Sequence, residues 1–234
     1  MSREIKTLKF LTLIALCIFA LTVGIEAQVK PAETKVKEPE PKKEKKANER
    51  PNAEAVKIEP FEKATVAEMA AQCVKFETEA GAIEMEMFPE SAPESVRNFL
   101  NLAATGAFDT TTFNRVVPNF VIQGGDIFTR EKMTPEFDKR ARRTIPDEPN
   151  QIKHERGILS MARADEPNTA STHFFILVSA ANTLDGKFAA FGRVMKGMDV
   201  VDAINKMPGE NEKPNKPVKI ARATVAPCVV PAKP

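Results

Sequence analysis

The sequence predicts a mainly β protein, a closed eight-stranded antiparallel barrel capped by two α-helices. Three observations lead there. Short apolar runs recur between turn residues along most of the second two thirds of the chain, only two stretches show helical periodicity, and those two do not alternate with the strands as a parallel α/β sheet would require.

The eight runs are 74–78, 83–88, 113–117, 121–123, 158–162, 174–178, 191–194 and 218–225. The first helix follows Ser91 as N-cap, with Pro93 in the first turn and Glu94 as capping-box acid. Val96, Phe99, Leu100 and Ala103 then recur at helical spacing until Gly106. The second, 198–206, presents Val200, Val201 and Ile204 for burial and stops at Pro208-Gly209. Period-two alternation sorts the strand residues by face. Phe174, Ile176 and Val178 share one side of their strand and Phe175 and Leu177 the other, while Val121 and Gln123 oppose Ile122. A barrel strand that is apolar on both sides fills the interior with one face and offers the other for cover or binding.

Composition narrows the function classes. The 234 residues carry 34 basic and 32 acidic side chains, a net charge of +2, which argues against nucleic acid as a partner. The chain is 42% hydrophobic, enough for one packed domain, and its aromatics are 15 Phe with no Trp or Tyr. With 2 His and 3 Cys, neither a His-rich metal centre nor a disulfide-dense scaffold is expected. His154 and His173 lack metal-ligand spacing, and Gly124-Gly125-Asp126 lacks the spacing and Lys of a phosphate loop. No metal site and no cofactor are expected, and a Ser-His-Asp set built on His173 has weak support.

Residues 1–27 have the form of an export signal: Arg3, Lys6 and Lys9 precede the apolar run 10–25, and small Ala27 follows. Ile25 is a poor residue for a cleavage site, so an uncleaved membrane anchor is the alternative. Residues 28–63 hold 10 basic and 8 acidic side chains and five prolines, which predicts a disordered linker, extended here to 28–70. The folded domain is placed at 71–228 and a tail at 229–234. Export to the periplasm or cell exterior, released or held at the inner membrane through 10–25, is the expected location. Beyond the signal lie two cysteines, Cys73 and Cys228, at opposite ends of the domain. If the first and last strands pair antiparallel they become neighbours able to form a disulfide; two free thiols are the alternative.

Three blocks carry more specific information: FNRVVPNFVIQGGD (113–126), GILSMARADEPNTASTHFFI (157–176) and LDGKFAAFGRVMKGMDVVDAI (184–204). In these the chain closely resembles cyclophilin-type peptidyl-prolyl cis-trans isomerases, of the compact bacterial branch. The resemblance implies Arg115 as the catalytic arginine and Phe120, Val121, Phe175 and Leu184 as the proline pocket. It implies further that Gln123, with the backbone at Ala162 and Arg163, holds the peptide. Departures from the pattern are Thr183 where Trp is familiar, Phe188 for His, His173 for Gln beside the pocket, Arg163 for Asn, and TREKMTPEFDKRARR in place of a glycine-rich loop. Phe188 keeps an apolar wall and His173 is expected at the rim, while the basic run 139–143 is read as a solvated loop. The implied partners are proline-containing polypeptides, met by a monomer. A non-catalytic proline-binding module or chaperone, and a tethered scaffold, remain alternatives.

Overall fold

The computed structural model of the chain describes residues 58–228, so the expected signal or anchor, most of the expected linker and the tail lie outside the described residues. No described helix is long and apolar enough to cross a membrane. The elements in order are α1 (Val66–Ala70), β1 (Gln72–Thr78), β2 (Gly81–Met87), α2 (Pro93–Ala104), β3 (Thr112–Phe113), β4 (Arg115–Val117), β5 (Val121–Gly124), α3 (Pro135–Ala141), β6 (Ile158–Met161), β7 (Phe174–Leu177), β8 (Ala190–Lys196), α4 (Met198–Asn205), β9 (Gly209–Glu210), β10 (Lys213–Pro214) and β11 (Val218–Pro227).

Nine strands form one sheet in the order β3-β11-β1-β2-β8-β6-β7-β5-β4, with every pair antiparallel. The two end strands, β3 and β4, are separated in sequence by Asn114 alone, so the order bends round into a nearly closed barrel. The single strand expected at 113–117, third of the eight, is therefore split in two. Asn114 leaves the ladder and its Nδ2 donates to the Asp126 carboxylate at 3.2 Å.

The barrel interior is packed with phenylalanine. Phe76, Phe99, Phe108, Phe113, Phe174 and Phe191 are all fully buried, with neighbouring ring centroids from 5.0 Å (Phe99 to Phe191) to 6.1 Å (Phe113 to Phe174). Tilted and edge-to-face pairs at such distances add to area burial. Helix α2 places Val96, Phe99, Leu100 and Ala103 into this core, as its spacing predicts. Its start differs from expectation. Ala92 occupies the N-cap without a side-chain bond, and Glu148 supplies the cap instead, accepting from the Glu94 and Ser95 amides at 2.9 and 2.7 Å. A carboxylate there meets both unsatisfied N–H groups and the positive end of the helix dipole. In α4, Val201 and Ile204 are buried as expected, while Val200 is only half-buried, packed at the edge of the core and over Gly81.

The expected linker boundary at residue 70 requires correction. Residues 58–64 are docked and α1 follows them with a Thr65/Glu68 capping box. Arg97 Nη1 donates to the carbonyls of Phe61 (2.8 Å) and Ala64 (2.7 Å), Phe61 N–H donates to Asn101, and Glu59 pairs with Arg140 at 2.6 Å and Arg143 at 3.0 Å. A window average of charge hides this, because the few acids and carbonyls that matter are answered by arginines on distant helices. The expected solvated loop at 139–143 also changes: Thr134 caps α3, and Arg140 is buried against Glu59 and Asn98.

At the chain ends β1 pairs β11 with Cys73 opposite Ala226, and the Cys228 amide donates to the Ala71 carbonyl at 2.9 Å. Cys73 and Cys228 are joined by a disulfide, with Cα atoms 4.8 Å apart and a sequence separation of 155.

Candidate active site

The outward faces of β5, β6 and β7 carry a second apolar cluster, separate from the barrel interior. It holds Val121, Ile158, Phe175, Leu177, Ala181 and Ala190, with Phe120, Leu184 and Phe188 packed against it. Alternation accounts for the division. Phe174 and Ile176 belong to the interior, and Phe175 and Leu177, one residue along, belong to the outer cluster; Ile122 points in and Val121 out.

In this outer face lies a concavity of about 170 Å³, lined by Arg115, Phe120, Val121, Gln123, Ala162, Arg163, Phe175, Leu184 and Phe188. Strand register builds its centre. Arg115 is opposite Gln123 across β4/β5, and Gln123 is opposite Phe175 across β5/β7, so a cation, an amide and an aromatic ring form one cross-strand row. Arg115 Nη1 donates to Gln123 Oε1 at 3.0 Å, and its Nε donates to Glu212 Oε2 at 2.7 Å. Phe175 stands edge-on to Phe188 at 6.1 Å, and the Arg163 guanidinium lies 5.2 Å over the Phe188 ring while its Nε pairs with Asp147 at 3.4 Å.

The loops that complete the wall are tied down individually. Asn119, at φ 59°, turns the chain into β5, and Asn205 at the end of α4 holds that turn. The Asn205 side chain accepts from the Asn119 amide at 2.9 Å and donates to the Val117 and Val121 carbonyls at 2.9 and 3.1 Å, which fixes Phe120 between them. Leu184 and Phe188 sit on a short turn anchored by Asp185, which accepts from the His154 amide at 2.8 Å and faces the His154 ring at 3.2 Å. The glycines of the QGGD stretch have a packing role: a Cβ on Gly125, at φ 86°, would stand 2.2 Å from the Thr172 carbonyl.

Of the ten residues assigned to catalysis or peptide binding from the sequence, nine line the concavity and one does not. His173 stays at its edge. Its backbone carbonyl accepts from the Ala162 amide at 3.0 Å, whereas its ring faces Asp126, with Nε2 4.0 Å from the carboxylate. Burial pushes the His173 imidazole below its usual pKa, and Asp126 opposes that shift. Glu212 and Asn205 escaped the sequence reading. Both act across long separations, and no local spacing marks them.

Ser160, His154 and Asp185 meet in hydrolase-like order, with His154 Nε2 3.2 Å from Ser160 Oγ. That set is not a nucleophilic centre. Ser160 and His154 are fully buried, out of reach of a substrate, and the Ser160 hydroxyl directs its proton to the Ala189 carbonyl at 2.8 Å and not to His154 as a base. The arrangement holds the 184–188 turn in place.

Comparison with known proteins agrees with this geometry. The family profile described as "Cyclophilin type peptidyl-prolyl cis-trans isomerase/CLD" matches residues 73–225. A peptidyl-prolyl cis-trans isomerase of Acinetobacter baylyi is 39% identical over 163 residues, covering 65% of this chain and 84% of that protein. The isomerase CYP18-2 of Arabidopsis thaliana is 38% identical over 160 residues, 65% of this chain and 92% of its own length. Among solved structures, a Cryptosporidium parvum cyclophilin crystallised in the presence of the dipeptide Ala-Pro superposes with a TM-score of 0.58 at 31% identity, covering 66% of this chain and 98% of that one. Fold, site and comparisons coincide over the same residues, and the chain belongs to the cyclophilin-type peptidyl-prolyl cis-trans isomerases.

Proposed function

We propose that Arg115 accelerates rotation about X-Pro bonds by stabilising the twisted imide while the apolar concavity grips the proline ring. The supporting observation is that the Arg115 guanidinium shares one pocket with the apolar side chains of Phe120, Val121, Phe175, Leu184 and Phe188, beside Gln123, Ala162 and Arg163.

The reaction breaks no σ bond. Its barrier of about 18–20 kcal/mol is lost amide resonance, and spontaneous exchange takes tens to hundreds of seconds. A turnover of about 10–1,000 per second from about 0.01 per second needs only about 4–7 kcal/mol of transition-state stabilisation. In the twisted state the prolyl nitrogen regains a lone pair and accepts a hydrogen bond that the planar amide cannot accept. A donor aimed there binds the transition state in preference to either isomer, and a charge-assisted bond contributes about 1.5–3 kcal/mol. With Nε and Nη1 occupied by Glu212 and Gln123, Nη2 makes no bond among the described residues and is the donor assigned to the substrate. The ring-binding pocket supplies the rest by holding one side of the bond while the other turns.

The clients are prolyl bonds of exported polypeptides. Support comes from the basic and apolar character of residues 1–27 and from the Cys73–Cys228 bridge, which suits an oxidising compartment. Fractionation of cells expressing the full chain tests this; recovery in the cytosolic fraction with both thiols reduced would overturn it.

Catalysis is tested by cis-to-trans exchange of a short Ala-Pro peptide. Arg115→Ala should lower kcat/KM by about 10- to 100-fold or more with the melting temperature kept. Wild-type rates in that variant would remove Arg115 from its role, and binding without acceleration by the wild type would make the domain a proline-binding module.

A further inference from the structure

Glu212 lies at the tip of the β9–β10 hairpin, 97 residues from Arg115 in sequence, with its carboxylate against the Arg115 guanidinium. Asn211 and Glu212 form the turn with φ of 51° and 63°. Left-handed backbone at a glutamate is uncommon, and such positions persist where surrounding contacts hold them. Here the contact is the strand that bears Arg115. The Glu212 carbonyl accepts from the Val116 amide at 2.8 Å, so one residue binds two consecutive residues of β4, with its backbone on Val116 and its side chain on Arg115.

Two acceptors therefore hold two different nitrogens of a single guanidinium, Glu212 Oε2 on Nε at 2.7 Å and Gln123 Oε1 on Nη1 at 3.0 Å. One bond leaves a flexible arginine free to pivot; two fix the plane of its fork before substrate arrives, and a donor already in place needs no reorganisation during the reaction. The opposing effect is partial neutralisation of the cation. That effect is small, because the Arg115 and Glu212 side chains are 40% and 47% exposed and water screens the pair. Orientation outweighs it.

We propose that Glu212 is a positioning residue for the isomerase, acting through Arg115 to aim the free edge of its fork into the proline pocket. This rests on the role given to Arg115 above, and the experiment separates the two.

Exchange of an Ala-Pro peptide is followed over a range of peptide concentrations on the full chain carrying Glu212→Ala, Glu212→Gln, Arg115→Ala or Arg115→Ala with Glu212→Ala, with melting temperatures in parallel. Glu212→Ala should lower kcat by about 3- to 10-fold, leaving KM within about twofold. Glu212→Gln, whose amide oxygen still accepts from Nε, should keep at least about half of the wild-type kcat. In the Arg115→Ala background, Glu212→Ala should cost nothing further.

Wild-type turnover in Glu212→Ala beside an impaired Arg115→Ala would overturn the positioning role and leave Arg115 in place. Equal losses in the Ala and Gln variants, or a Glu212→Ala loss that persists without Arg115, would also overturn it. Wild-type turnover in Arg115→Ala would instead remove the reading on which it rests.

Discussion

Phe174 and Phe175 are adjacent on one strand, and replacing each with alanine should produce different kinds of damage. Phe174 is fully buried, with ring centroids at 5.6 Å from Phe76, 5.2 Å from Phe99, 5.5 Å from Phe108 and 6.1 Å from Phe113. Truncation leaves a closed cavity among rings that cannot collapse together, at a cost of about 3–5 kcal/mol. For a domain of this size that lowers the melting temperature by about 6–20 °C. Phe175 is 6% exposed and borders the concavity, so truncation enlarges a space already open to water and removes one of its walls. The stability cost there should be about 1–2 kcal/mol, because no sealed cavity forms. The lost ring contact should take a similar amount from transition-state binding, about 5- to 30-fold in kcat/KM. Calorimetry gives the thermal term, and Ala-Pro exchange at 25 °C, normalised to folded protein, gives the catalytic one. Phe174→Ala should lose mainly melting temperature and Phe175→Ala mainly turnover. The same ratio of thermal to catalytic loss in both variants would refute the two-faced reading of β7.

Reducing the Cys73–Cys228 bridge, or replacing both residues with serine, should destabilise the domain by about 5 kcal/mol on the chain-entropy relation for a separation of 155 residues. Folded protein should keep its activity at 25 °C, and a melting temperature unmoved by reductant would contradict the estimate. Burial lowers the pKa of His154 below the ordinary imidazole value, with Asp185 acting the other way. His173 shifts in the same direction, also through burial. As pH falls below about 6.5 the unfolded chain takes up protons before the folded one, so the urea midpoint should be flat from pH 8 to 7 and decline below about 6.5. A midpoint that rises on acidification through that range would show that these rings are charged in the folded state.

The site residues were legible through the resemblance carried by three sequence blocks, and local alternation agrees with part of that assignment. Period-two alternation in FFIL separates interior from binding face using only covalent geometry, and one strand register then aligns Arg115, Gln123 and Phe175. Helix α2 was legible locally, since the spacing of Val96, Phe99, Leu100 and Ala103 is a property of the segment itself. Its cap was not, because Ser91 and Glu94 satisfied the local pattern while Glu148 from elsewhere took the amides. The α3 signal was present in Thr134-Pro135-Glu136, a capping residue, a first-turn proline and an acid, but the density of charge around it read as loop.

By itself, then, the sequence determined the alternating faces, the two principal helices and the family, and through that resemblance it pointed to the nine residues that line the pocket. Tertiary structure alone decided that residues 58–64 belong to the fold, that the His173 ring turns to Asp126, that Glu212 bonds to Arg115, and that Asn205 bonds to the turn before Phe120. The physical reason is the range of the interactions. Side-chain periodicity follows from bond geometry within a few residues, whereas the partner of a hydrogen-bonding group is whichever complementary group the folded chain brings to within about 3 Å.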